Sequence, residues 1–296
     1  MDSFKTDKII YQDGEFIMQK AAHFNFGSQT FHYGLGAFEG IRSYETSNGI
    51  KIFKVKEHFE RLKLSCEKIN LSFDFDIPTL IKDAYYLLEQ NELKNAYIRP
   101  VVFAEEGMNM QTSSKSHIVM MVWEWNSFYG DNLLRTCISS YEKPNPNSTP
   151  VDVKITGNYV NSVLAISEAK KNGFDEAILM DMNGYVSEST SANIFIEKDG
   201  KLFTPQKGNI MAGITRSTVM QIAKQLDFEV IEKNITLQEL KNADSGFLCG
   251  TAVEIIGIQS VDDTIFPFNF SDSIGSNIQR VYKSLVLDKL SFEVII

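Results

Sequence analysis

The chain has 296 residues, 43% of them hydrophobic, and a formal net charge of −9. This length fits one large domain or two of ordinary size, and the apolar content supports a packed core and excludes disorder. An acidic chain with no basic stripe argues against nucleic acid and anionic membrane as partners, since both select cationic surfaces.

Along the chain, Lys8 to Met18 reads as a hairpin turning at Asp13-Gly14. Lys51 to Val55 alternates as a strand, and Lys56 to Ile69 is helical, with Phe59, Leu62, Cys66 and Ile69 on one stripe. Pro78 to Leu88 is a second amphipathic helix with proline near its start. Ala96 to Phe103 and His117 to Trp123 are apolar, β-branched strands, and helices beside such a sheet predict an α+β domain over residues 1–125. Residues 126–132, with Gly130 inside, read as an interdomain linker before a larger domain over 133–296.

The second domain is expected to open with a strand from Leu133 to Tyr141. An irregular loop marked by Pro144, Pro146 and Pro150 follows, then a helix from Tyr159 to Asn172 closed by Gly173. Ala177 to Met182 and Tyr185 to Ser187 pair across Asn183-Gly184, and Asn193 to Glu197 and Lys201 to Thr204 pair across Asp199-Gly200. Thr215 to Leu226 is a helix starting just after Gly213. Thr236 to Glu239 fits a capping box, and a helix within Ser271 to Leu290 closes the chain.

The N-terminus has neither the apolar core nor the Arg-rich pattern of a targeting segment, and no apolar run approaches a membrane span. Cys66, Cys137 and Cys249 are isolated and odd in number, so a reducing cytoplasm is expected and a disulfide framework is not. The four histidines, His23, His32, His58 and His117, are scattered and predict no metal site.

Lys154 follows the proline-rich loop and is flanked by Val151, Val153 and Ile155. It is either a solvated surface lysine or a buried amine that loses its proton readily, as Schiff-base chemistry requires. Gly157-Asn158-Tyr159 brings a phenol close behind it. Glu188, in a run of hydroxyl residues, is either a loop carboxylate bonded by Ser187 and Ser189 or the partner of a pyridine nitrogen. Gly213-Ile214-Thr215 opens a helix whose free N–H groups either form an ordinary cap or bind phosphate, and Gly250-Thr251-Ala252 is a similar turn. Together a lysine, a tyrosine, a glutamate and two such turns are the parts needed to hold pyridoxal phosphate. Strand alternation puts Tyr97, Arg99, Val101 and Phe103 on one face, with Ile98 and Val102 on the other. An arginine on so apolar a strand needs a partner, either a structural carboxylate or a substrate carboxylate.

In order and spacing these segments resemble the branched-chain amino-acid aminotransferases, of the fold-type IV class of pyridoxal-phosphate enzymes. The resemblance runs from about Tyr11 to Asp262. It rests on His32-Tyr33-Gly34 with Phe38-Glu39-Gly40-Ile41-Arg42, Glu57-His58 with Arg61-Leu62, and Tyr97-Ile98-Arg99-Pro100. It continues through Lys154 with Gly157-Asn158-Tyr159, Ser187-Glu188 with Asn193, Gly213-Ile214-Thr215-Arg216 and Gly250-Thr251-Ala252-Val253-Glu254.

The resemblance implies two α/β domains joined by a short linker with the active site between them, a homo-oligomer of at least two copies, and a ping-pong exchange of amino groups between leucine, isoleucine or valine and 2-oxoglutarate. It implies that Lys154 forms the Schiff base and moves the proton, that Tyr159 meets the ring oxygen and Glu188 the ring nitrogen, and that Asn193 supports them. Arg61, Ile214, Thr215 and Thr251 would hold the phosphate. Phe38, Met108 and Tyr129 would line the side-chain pocket, walled by Tyr33 and shaped by Gly40 and Arg42. Thr251 and Ala252 amides, with Tyr97, would receive the α-carboxylate, and Arg99 the distal carboxylate of glutamate. The chain departs from the family pattern at Ser189-Thr190-Ser191, where many members have glycine after the glutamate. That hydroxyl run also resembles the family's lyase relatives, so a D-amino-acid aminotransferase or an aminodeoxychorismate lyase is the alternative.

Overall fold

The computed structural model describes residues 8–111, 115–125 and 132–290. The chain falls into two units: the first takes its described residues from Met1–Asn126 and Val153–Asn158, the second from Ser127–Asp152 and Tyr159–Ile296. Val153–Asn158, which the sequence reading grouped with the C-terminal half, is therefore part of the first unit. The expected linker falls, except for Asn132, outside the described residues.

In the first unit Asp13 and Gly14 adopt φ of 51° and 97°, the left-handed pair that a two-residue hairpin turn needs. They fold β1 (Ile9–Gln12) onto β2 (Glu15–Met18), as the Asp-Gly spacing predicts. A short helix α1 (Gln29–Tyr33) ends at Gly34, and β3 (Gly36–Phe38), β4 (Ile41–Thr46) and β5 (Gly49–Ile52) follow. Helices α2 (Val55–Lys68) and α3 (Ile77–Gln90) precede β6 (Ala96–Ala104) and β7 (Ser116–Glu124). The expected strand over Lys51–Val55 is displaced. It ends at Ile52, because Lys54 turns the chain at φ 53° and α2 begins at Val55.

These strands form a seven-stranded antiparallel sheet, β2-β1-β7-β6-β4-β5, with β3 also on β6. One end of β6 takes β3, from Gly36↔Phe103 to Phe38↔Val101, and the other takes β4, from Ile41↔Ile98 to Ser43↔Ala96. Glu39 and Gly40 interrupt the ladder between them, opposite Arg99 and Pro100. Pro100 has no N–H to give, which is tolerated at such an interruption, and its carbonyl accepts from the Glu39 N–H at 2.9 Å. The alternation holds. Ile98 and Val102 join Phe59, Leu62, Cys66, Leu80 and Leu87 of α2 and α3 in the core, while Tyr97 and Arg99 lie on the other face.

The second unit contains β8 (Leu134–Ile138), α4 (Tyr159–Lys171), β9 (Glu176–Met180), β10 (Val186–Ser189), β11 (Asn193–Lys198), β12 (Lys201–Pro205) and α5 (Ile214–Gln225). It continues with β13 (Val230–Lys233), α6 (Leu237–Lys241), β14 (Ser245–Gly250), β15 (Glu254–Val261), β16 (Thr264–Ile265) and α7 (Ile274–Val286). The strand order is β10-β9-β8-β15-β14-β11-β12-β13, with β16 on β15. Parallel neighbours need a crossover, and α4 supplies one between β8 and β9 and α5 another between β12 and β13.

The capping box at Thr236 and Glu239 forms as expected. Strand β8 stops at Ile138, short of the expected Tyr141, and α7 is shorter than the span expected to hold it, starting where the Ser273 side chain accepts the Ser276 N–H. Strands β3, β4 and β13 to β16 carry no separate prediction from the sequence. They are short or alternate too little for a period to be read.

Candidate active site

Lys154 belongs to the first unit. Lys154 is buried at 8% exposure, with its amine 4.7 Å from the centre of the Phe38 ring. Its backbone is held on both sides: its N–H donates to Ser65 Oγ on α2 at 3.1 Å, and its carbonyl accepts from the Phe38 N–H at 3.1 Å. Burial pulls the Lys154 amine down to about 8, opposed by the charge of Glu39 and assisted by Arg61. Of the two sequence readings, the solvated surface lysine is thus not what the fold builds.

Beside it lies a group to which the sequence attached no role. Glu39, at the interruption between β3 and β4, has no exposed surface. Its carboxylate accepts Arg61 Nε at 2.6 Å and Nη2 at 2.9 Å, His58 Nδ1 at 2.8 Å and the Gly40 N–H at 3.2 Å. Burial alone would raise this carboxyl; the Arg61 guanidinium and the His58 ring together outweigh it and hold Glu39 below the ordinary carboxylate range. Burial lowers His58, against the pull of the Glu39 carboxylate to which its Nδ1 donates. The spacing of His58 and Arg61 on one helix was legible; a carboxylate between Phe38 and Gly40 as their common partner was not.

Arg99 projects among rings. Its guanidinium carbon is 4.7 Å from the Phe38 ring centre, 5.4 Å from Tyr97 and 6.0 Å from Trp123. Its Nη2 reaches the Tyr97 hydroxyl at 3.4 Å, and Nε is buried with no hydrogen-bond partner. Among the described residues Arg99 makes no ion pair, and no structural carboxylate there meets it. Tyr97 is buried and stacked on Trp123 at 5.1 Å. Its hydroxyl crosses so close to Gly40 that a Cβ there would stand 1.7 Å away, which is why that position lacks a side chain. Arg42 is buried with its guanidinium 4.8 Å from the Tyr44 ring centre. Tyr33 and Met108 are joined by a 3.1 Å bond from the Tyr33 hydroxyl to the Met108 carbonyl, and both side chains are exposed. Tyr129 lies outside the described residues.

In the second unit Glu188 and its neighbours form a separate cluster. Glu188 is inside β10 and buried, which removes the reading of an exposed loop carboxylate. Its partners are not the neighbouring serines. Oε1 accepts from Lys143, and Oε2 from Asn193 Nδ2 at 2.9 Å and the Met211 N–H at 3.1 Å. Lys143 comes from the proline-rich loop and carried no signal in the sequence. Asn193 also donates to the Met211 carbonyl at 3.0 Å, and a Cβ at Gly213 would fall 2.0 Å from its Oδ1.

Gly213 is the N-cap of α5 and offers no side-chain acceptor, so the first-turn N–H groups at Ile214 and Thr215 are not claimed by a cap residue. Thr215 is buried; Ile214, Thr251 and Ala252 are half-buried, the last two in the turn between β14 and β15. Tyr159 is half-buried at the first position of α4. Among the described residues no cluster of His, Cys, Asp and Glu could hold a metal, and no helix is long and apolar enough to cross a membrane.

The family model described as Amino-transferase class IV matches residues 36–261. The branched-chain-amino-acid aminotransferase of Pseudomonas aeruginosa is 35% identical over 289 residues, covering 96% of this chain and 94% of its own. The solved branched-chain aminotransferase of Thermoproteus uzoniensis with norvaline superimposes with a TM-score of 0.93 at 31% identity, covering 97% of each chain. The solved branched-chain aminotransferase of Escherichia coli gives 0.91 at 32% identity, covering 96% of each chain. A further solved branched-chain aminotransferase, from the organism abbreviated T.th. and complexed with N-(5'-phosphopyridoxyl)-L-glutamate, gives 0.90 at 32% identity, covering 97% of this chain and 96% of its own.

Proposed function

The chain belongs to the class IV aminotransferase family, and we propose that it reversibly transfers the amino group of L-leucine, L-isoleucine or L-valine to 2-oxoglutarate with pyridoxal 5'-phosphate. The observation that carries this reading is Lys154, a buried amine pulled down to about 8. Such an amine can give up and recover a proton near neutral pH, as a nucleophile that doubles as general acid and base must.

The residues present fit the cofactor. The first-turn N–H groups of α5, which no cap side chain claims, would take a phosphate, with Thr251 and Arg61 as its further ligands under this reading. Glu188 would meet the ring nitrogen with its orientation set by Asn193 and Met211, and Tyr159 would meet the ring oxygen. When bound, the cofactor supplies a carbonyl that accepts the amine and a cationic ring that stores the electron pair released at Cα. Lys154 would move the proton at that carbon. Phe38 and Tyr97 offer an apolar wall to a branched side chain, and Arg99, with Nε unpartnered, offers a cation to the distal carboxylate of glutamate. Thr251 and Ala252 would take the α-carboxylate. The solved relative that carries a phosphopyridoxyl-glutamate supports both the cofactor and this second substrate.

Phe26 and Phe31 form an exposed edge-to-face pair at 5.5 Å, continuous with Phe24, and support the reading of at least a dimer closed over this patch. Three buried free thiols support a cytoplasmic setting. The test is a titration of the protein loaded with pyridoxal phosphate. L-Leucine is expected to convert its absorbance to that of the pyridoxamine form, and 2-oxoglutarate to restore it. Conversion by D-alanine and not by L-leucine would overturn the substrate assignment in favour of a D-amino-acid aminotransferase.

A further inference from the structure

Glu39 is joined to Lys154 by a closed circuit of bonds within the first unit. Its carboxylate grips the Arg61 side chain; the Arg61 carbonyl accepts from Ser65 Oγ at 2.8 Å. Ser65 Oγ in turn accepts the Lys154 N–H, and the Lys154 carbonyl accepts the N–H of Phe38, the residue before Glu39. An ionised carboxylate with no exposure is retained only where its lone pairs are taken, and here four donors take them. A guanidinium held by two bonds on one edge has lost its freedom to swing, so Arg61 is aimed before any anion arrives.

We propose that Glu39 is a positioning residue for the Lys154 amine, holding Arg61 and His58 in one fixed arrangement beside it. The proposal rests on the reading of Lys154 as the reacting amine and extends it to a group outside the reaction itself. Among the described residues of the first unit, Glu39 from the β3–β4 junction, Arg61 and His58 from α2, and Tyr97 and Arg99 from β6 are the titratable and charged groups that act on Lys154. Glu39 is the principal anion among them. Without it the guanidinium charges of Arg61 and Arg99 act on the amine uncompensated, and Arg61 is no longer fixed.

The test reads Lys154 itself. Cofactor-free protein is reductively methylated from neutral to strongly alkaline pH, and the extent at Lys154 is measured by mass spectrometry of its peptide. The parent midpoint is expected near 8. In Glu39→Gln it should fall by about one pH unit, a tenfold change in protonation, and the affinity for pyridoxal phosphate should weaken about tenfold as Arg61 loosens. An unchanged midpoint and affinity in a folded variant would reduce Glu39 to a structural counter-ion. Should Glu39→Gln not fold, the double variant Glu39→Gln/Arg61→Met is compared with the parent, because removing both ends of a buried pair is tolerated better than removing one and the pull of Glu39 on the amine exceeds the push of Arg61. A lower midpoint in the double variant supports the proposal, and equal midpoints overturn it. Retained turnover in Lys154→Met would instead remove the reading of Lys154, whatever the labelling shows.

Discussion

Replacing Arg99 by leucine should leave the resting protein as stable as before while removing the glutamate half of the reaction. In the folded chain Nε of Arg99 is buried without a partner, and its strongest compensation is the Phe38 ring 4.7 Å from the guanidinium carbon. A buried unpaired donor costs about 1–3 kcal/mol, and a cation over a ring returns roughly 0.5–2 kcal/mol. Leucine removes both terms and keeps the apolar packing. The net change therefore lies between about 1 kcal/mol lost and about 2.5 kcal/mol gained, a shift of no more than several degrees in Tm for a chain of this size. Glutamate, by contrast, would bring its distal carboxylate into the same apolar surroundings with no cation to meet it. Removing one side of such a desolvated pair costs about 3–5 kcal/mol, which is roughly two to three and a half orders of magnitude in rate. The assay is single-turnover conversion of the cofactor by L-glutamate and by L-leucine in parent and variant, with melting curves of both proteins without substrate. Equal losses for both substrates, accompanied by a large fall in Tm, would refute the reasoning and make Arg99 a residue of the fold.

Glu188→Gln should retain the cofactor but lose most of its turnover, because an amide cannot hold the ring nitrogen protonated; normal steady-state rates would show that Glu188 serves only Lys143, Asn193 and Met211. Gly40→Ala drives a methyl to 1.7 Å from the Tyr97 hydroxyl, and the stacked ring cannot swing away, so stability should fall by about 1–3 kcal/mol and KM for every substrate should rise; an unchanged urea midpoint would count against the packing argument. Lys154→Met should abolish turnover and change the pH dependence of stability. With the folded amine at about 8 against an ordinary 10.5, the unfolded chain binds more protons between those values. The parent therefore gains stability as pH rises from about 8 to 10.5, by roughly 3 kcal/mol in all. The variant should lack that rise, and parallel curves from urea melts across this range would contradict a buried, depressed lysine.

Local chemistry was enough wherever one segment decides its own conformation. Asp13-Gly14 specifies a hairpin because only such a pair accepts two left-handed residues in succession, and Thr236 with Glu239 specifies a helix start because the two satisfy each other's backbone donors. The α2 stripe and the alternation of β6 are legible because burial on one face imposes a period. The same periodicity sets Arg99 on the face of Tyr97, and the order of short motifs is enough to single out Lys154 and Glu188. What the sequence could not decide is which charges meet. Glu39 joins Arg61 across 22 positions and Lys143 joins Glu188 across 45, and nothing in a short window marks such partners. Nor does it show that Val153–Asn158 packs with the first unit, or that β15 lies between β8 and β14. Those pairings are chosen by closing long loops around a shared core, a cost and a gain that belong to the whole chain. Burial follows from the same closure, and it is burial that turns an ordinary lysine into one that sheds its proton near 8.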